Sequence, residues 1–384
     1  MQVALVHDWL TGMRGGEKCL EVLCRHFPAA RLFTLLHVPG STSPTIERMA
    51  ITTSGLQRLP GAARYYRWLL PWMPRAVESL PIPRDVDLVL SLSHAVAKGI
   101  RVPAHIPHVC YCFTPMRYAW HRRNDYLPQN GLLGRAKAAI AGPALNRLRR
   151  WDAASSQRVT HFLAISRTVA QRIEDCYGRT SRVIYPPVDT DFYRPAPVAR
   201  EDFYLCISAL VPYKRTQLAI EACQRLGRRL VVIGSGPERA RLARLAHHGV
   251  TFLGWQSNEV LRDHLQRCRA LLFAGHEDFG IVPLEAQACA TPVIALGEGG
   301  ATETIIPGRP ESPGTGLWFG PQTAEALSTA MLRLETHPEL FDAQLARRHA
   351  ETFSTQRFAQ EMVHYMRSVM APESAPVPPA HAIP

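Results

Sequence analysis

Glu277 and Glu285, separated by seven residues in the run His276-Glu277-Asp278-Phe279-Gly280-Ile281-Val282-Pro283-Leu284-Glu285, are the residues best placed to do chemistry. A carboxylate repels phosphate but accepts hydrogen bonds from sugar hydroxyls. The apolar run Ala270–Ala274 before them reads as a buried strand, and Pro283–Ala288 reads as the first turns of a helix. A strand entering a helix through a glycine turn aims backbone N–H groups and the positive helix end at one point. That point can seat an anion or a cluster of hydroxyls. Taken alone, the same pattern also describes a capped helix with a surface acid.

Three further stretches carry polar groups where a strand ends. Val3–Val6 reads as a strand, His7–Gly16 as a loop closing on Gly15 and Gly16, and Glu17–Cys24 as a helix. Glycines there let backbone approach a phosphate closely. Neither common nucleotide motif is matched, since G-x-G-x-x-G is absent and Lys18 does not follow a glycine. Asp87–Ser93 reads as a strand ending at His94, and strand ends in an open parallel sheet are where ligands bind. Phe203–Ser208 reads as a strand followed by Lys214 and Arg215, two cations at a helix start. D-x-D pairs occur at Asp85–Asp87 and Asp189–Asp191, one opening a strand and one in a linker, and both read as structural.

The elements that must hold these residues alternate strand and helix in both halves of the chain. That pattern gives two doubly wound parallel sheets with ligand between facing strand ends. Val183–Pro195, with its prolines, breaks the periodicity and reads as the junction. The boundaries expected are 1–187 for a first domain and 196–352 for a second, followed by a final helix, 354–370, and a proline-rich tail, 371–384, expected to be disordered. A length of 384 residues fits two cores, and 46% hydrophobic with 20% charged residues fits a soluble globular protein. Nine scattered cysteines fit reduced, buried thiols. No apolar run reaches membrane-spanning length, and Met1–Val6 enters a strand with no basic leader, so a cytoplasmic protein is expected.

The stretch HEDFGIVPLEAQACATPVIA resembles the E-x7-E signature of retaining family-4 glycosyltransferases with the GT-B fold. The resemblance implies two Rossmann-like domains facing a cleft, 1–187 binding acceptor and 196–352 binding donor, with helix 354–370 crossing back to the first, Glu277 on the donor sugar and Glu285 on the ribose. It implies that the backbone of Phe279, Gly280 and Ile281 serves the sugar and diphosphate, that Gly15 and Gly16 face the diphosphate, and that His94 lies beside the reacting sugar. Lys214 keeps its place as a phosphate ligand. The family arginine is replaced by Ala209, with Arg215 as a substitute. No cofactor or metal is implied.

Within the family the chain most resembles bacterial mannosyltransferases of O-antigen and exopolysaccharide assembly. GDP-mannose is therefore the expected donor and a polyprenyl-diphosphate-linked glycan the expected acceptor, with Thr114–Trp120 suited to acceptor contact. The alternatives are a UDP-sugar with another acceptor, a GT-B sugar-nucleotide epimerase or phosphorylase, and a non-catalytic basic binder. The charge of +12 calls for an anionic partner, and no nucleic-acid motif stands out. Residues 58–75 interleave arginines with Tyr65, Tyr66, Trp68 and Trp72, the composition of an interfacial membrane contact. A second basic segment, Arg135–Arg150, could join that face. The expected location is the inner face of the cytoplasmic membrane.

Overall fold

The computed structural model describes residues 1–120, 131–246 and 248–371. The expected tail falls almost wholly outside them, as do the side chains at the Arg135 end of the second basic segment.

Two parallel sheets organise the chain. The first contains β1 (Val3–His7), β2 (Arg31–Thr34), β3 (Ala50–Thr53), β4 (Leu88–Ser93), β5 (His108–Cys112), β6 (His161–Ala164) and β7 (Ser181–Val183), in the order β3-β2-β1-β4-β5-β6-β7. The second contains β8 (Tyr204–Ile207), β9 (Leu230–Ile233), β10 (Val250–Gly254), β11 (Leu271–Phe273), β12 (Val293–Leu296) and β13 (Gly316–Phe319), in the order β10-β9-β8-β11-β12-β13. Both are doubly wound, so each reverses direction at one place: between β1 and β4, and between β8 and β11. Connections diverge at those switch points and leave a crevice at the strand C-termini.

The central strands are continuous apolar runs because both faces are covered. Along β1, Val3 and Leu5 enter one core layer while Ala4 and Val6 enter the other. Along β8, Leu205 and Ile207 are separated from Tyr204 and Cys206 in the same way. This is the two-residue period of a strand buried on both sides.

The last helix, Thr355–Met370, is capped by Ser354, whose hydroxyl accepts from Arg357 N at 3.3 Å. Its Phe358, Ala359, Met362 and Met366 are buried with β1, β4 and β5 of the first sheet, and Phe358 packs on Tyr111 at 5.6 Å between ring centroids. All nine cysteines are buried and unbridged.

Two local expectations are corrected. The helix after β1 runs Gly15–His26, so Gly15 and Gly16 form its first turn rather than the preceding loop. Glu17 makes this possible by accepting the Arg14 N–H at 3.0 Å, a capping arrangement that starts the helix early. The helix after β11 runs Ile281–Ala288, with Gly280 as its cap at φ 102°. That left-handed backbone suits glycine, and it starts the helix two residues before Pro283.

Candidate active site

The residues singled out by type and spacing gather at the two switch points. At the first, Asp8 follows β1 and His94 follows β4. The Asp8 carboxylate is fully buried and accepts four backbone N–H groups, from His94 (2.7 Å), Ala95 (3.0 Å), Val96 (2.7 Å) and Ala97 (2.7 Å). It also lies 3.0 Å from His94 Nδ1. Burial alone would raise its pKa, but the charge and hydrogen bonds of His94 prevail and hold it well below the usual carboxylate range. Asp8 thus fixes both the turn and the imidazole, and leaves Nε2 of His94 as the ring nitrogen for a ligand. The His94 ring is flanked by Trp9 (4.6 Å), His7 (6.2 Å) and Phe113 (6.4 Å). Burial pushes the His7 pKa down, so that ring stays neutral. A Cβ at Gly16 would come within 3.2 Å of Phe113 and 3.3 Å of His7 Nε2, so the helix start rests directly on this cluster.

At the second switch point, Lys214 ends a short 3-10 turn after β8, and its ammonium pairs with Glu277. Gly275 allows this approach, because a Cβ there would meet the Lys214 backbone at 3.0 Å. The turn that carries Glu277 is braced from behind: Gly300 N–H donates to Glu277 O at 2.8 Å, and a Cβ at Gly300 would overlap the Phe279 backbone. Glu285 is 2% exposed and accepts from Lys18 Nζ at 2.5 Å.

The two switch points face each other. A Cβ at Gly15 would lie 3.0 Å from Ile281 Cδ1, so the starts of helices Gly15–His26 and Ile281–Ala288 are in contact. Arg117, after β5, donates to Asp278 Oδ2 at 2.8 Å, and Arg172 pairs with the other Asp278 oxygen. The Ser166 hydroxyl donates to Asp278 O at 2.6 Å. Glu303 accepts from the N–H groups of Arg167 (2.8 Å) and Thr168 (3.1 Å) at the start of the helix Arg167–Tyr177. Burial would raise the Asp278 pKa, but Arg117 and Arg172 overcome it and hold it at about 2.

Gly15 therefore faces Ile281, which Glu277 and Glu285 flank in sequence and Lys214 joins through Glu277, while His94 is linked to Gly16 through His7 and Phe113. Two expected residues sit differently. Arg215 is exposed, with left-handed backbone (φ 53°), and lines a small cleft with Gln217, Glu238 and Arg241. The Phe279 side chain is 3% exposed and stacks on Tyr185 (5.6 Å) and Phe353 (5.9 Å), which leaves only its backbone for a ligand. Arg117, within the Thr114–Trp120 segment read as an acceptor contact, is spent on Asp278.

Lys18, Arg117, Arg172, Asp278 and Asp8 were not singled out from the sequence. Each acts through a partner far away in the chain, and only Asp278, beside Glu277, had a local signal. Among the described residues no group of three or more His, Cys, Asp or Glu gathers where it could hold a metal. Asp85 instead pairs with Arg31 (2.9 Å), and Asp87 and Asp189 accept backbone N–H groups.

Comparison with known proteins matches residues 13–192 to the family model described as Glycosyltransferase Family 4. Residues 189–350 match the model described as Glycosyl transferases group 1. The GDP-mannose-dependent alpha-(1-6)-phosphatidylinositol monomannoside mannosyltransferase of Mycolicibacterium smegmatis is 32% identical over 206 residues, 45% of this chain and 52% of that protein. The D-inositol 3-phosphate glycosyltransferase of Gordonia bronchialis is 30% identical over 246 residues, 55% of this chain and 53% of that protein. The chain thus spans about half the length of the curated relatives it matches. Among solved structures, Anabaena HepE with UDP and glucose superposes with a TM-score of 0.71 at 18% identity, over 96% of this chain and 100% of that one. Sucrose-phosphate synthase of Thermosynechococcus elongatus superposes at 0.73 with 17% identity, over 96% and 99%. At such identities the likeness is one of fold.

Proposed function

The chain belongs to the family-4, group-1 glycosyltransferases of GT-B fold, and on that premise we propose that it transfers mannose from GDP-mannose, with retention, to a polyprenyl-diphosphate-linked glycan. The observation that carries the transferase reading is the contact between the two helix starts, Gly15 against Ile281, with Glu277, Glu285 and Lys214 around it.

In this reading the sugar diphosphate lies against the two helix starts, where N–H groups and two positive dipole ends converge. Cleavage of the anomeric C–O bond leaves an oxocarbenium-like sugar and puts negative charge on the departing diphosphate. Lys214 and the helix starts are already oriented to stabilise that charge. Glu277 accepts from sugar hydroxyls, and Glu285 accepts from the ribose diol. The acceptor hydroxyl enters on the leaving-group face beside His94, and the leaving phosphate helps take its proton. The cationic groups all belong to the protein, so we propose that no divalent metal is needed. The choice of mannose rests on the mannosyltransferase relatives, whose matched length is partial.

The acceptor side of the proposal rests on the surface. Trp68 and Trp72 are 80% and 58% exposed, with Tyr65, Arg64, Arg67 and Arg75 exposed around them. Between these rings, Tyr66 turns inward onto Trp9 at 5.2 Å, and Trp9 meets His94. A bilayer bound at this patch would bring a lipid-linked acceptor next to the cleft. Among the described residues no helix is long and apolar enough to cross a membrane, so the proposal is peripheral attachment to the inner face. A thermal-shift panel of GDP-, UDP- and ADP-sugars tests the donor. Stabilisation by GDP-mannose above the others is expected, and no response to any of them counts against the reading.

A further inference from the structure

Lys18 lies in the first turn of helix Gly15–His26, two residues after Gly16, on the side of the cleft opposite Glu285. Its ammonium nevertheless reaches Glu285 Oε1 at 2.5 Å, and it also sits 5.7 Å from the centroid of the Tyr193 ring. Glu285 and Tyr193 are both 2% exposed. The Tyr193 hydroxyl has no hydrogen-bond partner among the described residues, although burial and then the Glu285 charge push its pKa up. A lysine of the other domain therefore touches both a buried carboxylate and the ring of a buried tyrosine whose hydroxyl has no partner among the described residues.

A carboxylate this deeply buried needs a countercharge, and breaking such a pair leaves a costly lone ion. A ribose diol on Glu285 supplies neutral hydroxyl donors that fill the carboxylate's lone pairs. It cannot also neutralise the ammonium it displaces. That ammonium is carried by the first turn of Gly15–His26, the helix whose start touches that of Ile281–Ala288.

We propose that Lys18 is a donor-diphosphate ligand, held by Glu285 in the empty enzyme and handed to the diphosphate when the ribose takes its place. The proposal rests on the donor reading above and extends it. Lys18 and Lys214 become a pair of cations, one from each domain, that clasp the diphosphate from opposite sides. This supplies the second charge that Ala209 lacks. It also makes recognition of the diphosphate, rather than of the base or sugar, the signal that holds the two domains together.

Calorimetry on the full chain tests this with GDP and UDP, each compared with its nucleoside. In Lys18→Met the diphosphate that wild type binds is expected to weaken about tenfold or more, the loss of one charge-assisted hydrogen bond. Nucleoside affinity should stay the same or tighten, since Glu285 is released. Lys18→Arg, which keeps the charge, should recover most of the loss. Equal weakening of diphosphate and nucleoside would reduce Lys18 to a packing role and overturn the proposal. Unchanged affinity for both would overturn it too, with the donor reading intact. If the wild-type protein binds neither diphosphate, the donor reading itself fails and Lys18 loses its role with it.

Discussion

Arg117 and Asp278 meet across the cleft at 2.8 Å, one from the loop after β5 and the other from the turn after β11. With Arg172 on the second oxygen, Asp278 is a buried carboxylate shared by two arginines of the opposite sheet. It adjoins Glu277 in sequence, so whatever holds Asp278 also sets where Glu277 can reach.

The sign of its pH dependence follows from its pKa, lowered from 3.8 to about 2. A depressed carboxylate stabilises the fold above its unfolded value, near 4, and that stability is lost as the pH falls toward 2. Asp278→Asn should therefore lower the melting temperature at pH 7, by a loss of about 2–3 kcal/mol. The gap to wild type should narrow below pH 4 and close near pH 2. A gap that is constant from pH 7 to pH 2, followed by differential scanning calorimetry, would show that the charge is not responsible.

The two glutamates should separate kinetically. Glu285→Gln is expected to raise KM for the donor, because the ribose is held equally in ground and transition states. Glu277→Gln should chiefly lower kcat, by about tenfold or more, because contacts to the sugar tighten as the bond breaks. Steady-state kinetics on both variants check the split, and wild-type values in both would remove these residues from the site.

Chelation is a third test. With the cationic work assigned to Lys214, Lys18 and the helix starts, EDTA should leave most of the activity in place. Complete loss, restored by Mg²⁺ or Mn²⁺, would return attention to the D-x-D pairs.

Attachment to membranes should be electrostatic. Each cation near an anionic surface contributes about 1 kcal/mol, so Arg64, Arg67 and Arg75 together give adhesion that high salt reverses. In liposome flotation the protein should rise with anionic vesicles at low salt and stay down with neutral ones. Changing these three arginines to glutamate should abolish flotation. Failure of the wild-type protein to float with anionic vesicles at low salt would exclude this mode of attachment.

Sequence and structure agree where the signal is local. Glu277, Glu285, Lys214 and His94 each follow a strand, and apolar runs locate strands well. Agreement fails at the edges and across the cleft. The edge strands β3 (Ala50–Thr53) and β7 (Ser181–Val183) are four and three residues long, polar and only partly buried. Such edge strands have too little apolar surface to stand out from loops. The Arg117–Asp278 and Lys18–Glu285 pairs join residues 161 and 267 positions apart, a separation over which no spacing rule operates. Arg215 directly follows Lys214, and the left-handed backbone at its own position (φ 53°) is a feature that adjacency in the sequence does not reveal.

The central claim is transfer from a nucleotide sugar, and it is tested most directly by reading the product. The protein is incubated with GDP-mannose and vesicles carrying polyprenyl-diphosphate-linked oligosaccharide. Released GDP is measured, and the new anomeric centre is assigned by NMR. The expected result is acceptor-dependent release of GDP matched by one α-linked mannose. No acceptor-dependent release of nucleotide from GDP-, UDP- or ADP-sugars would contradict the claim.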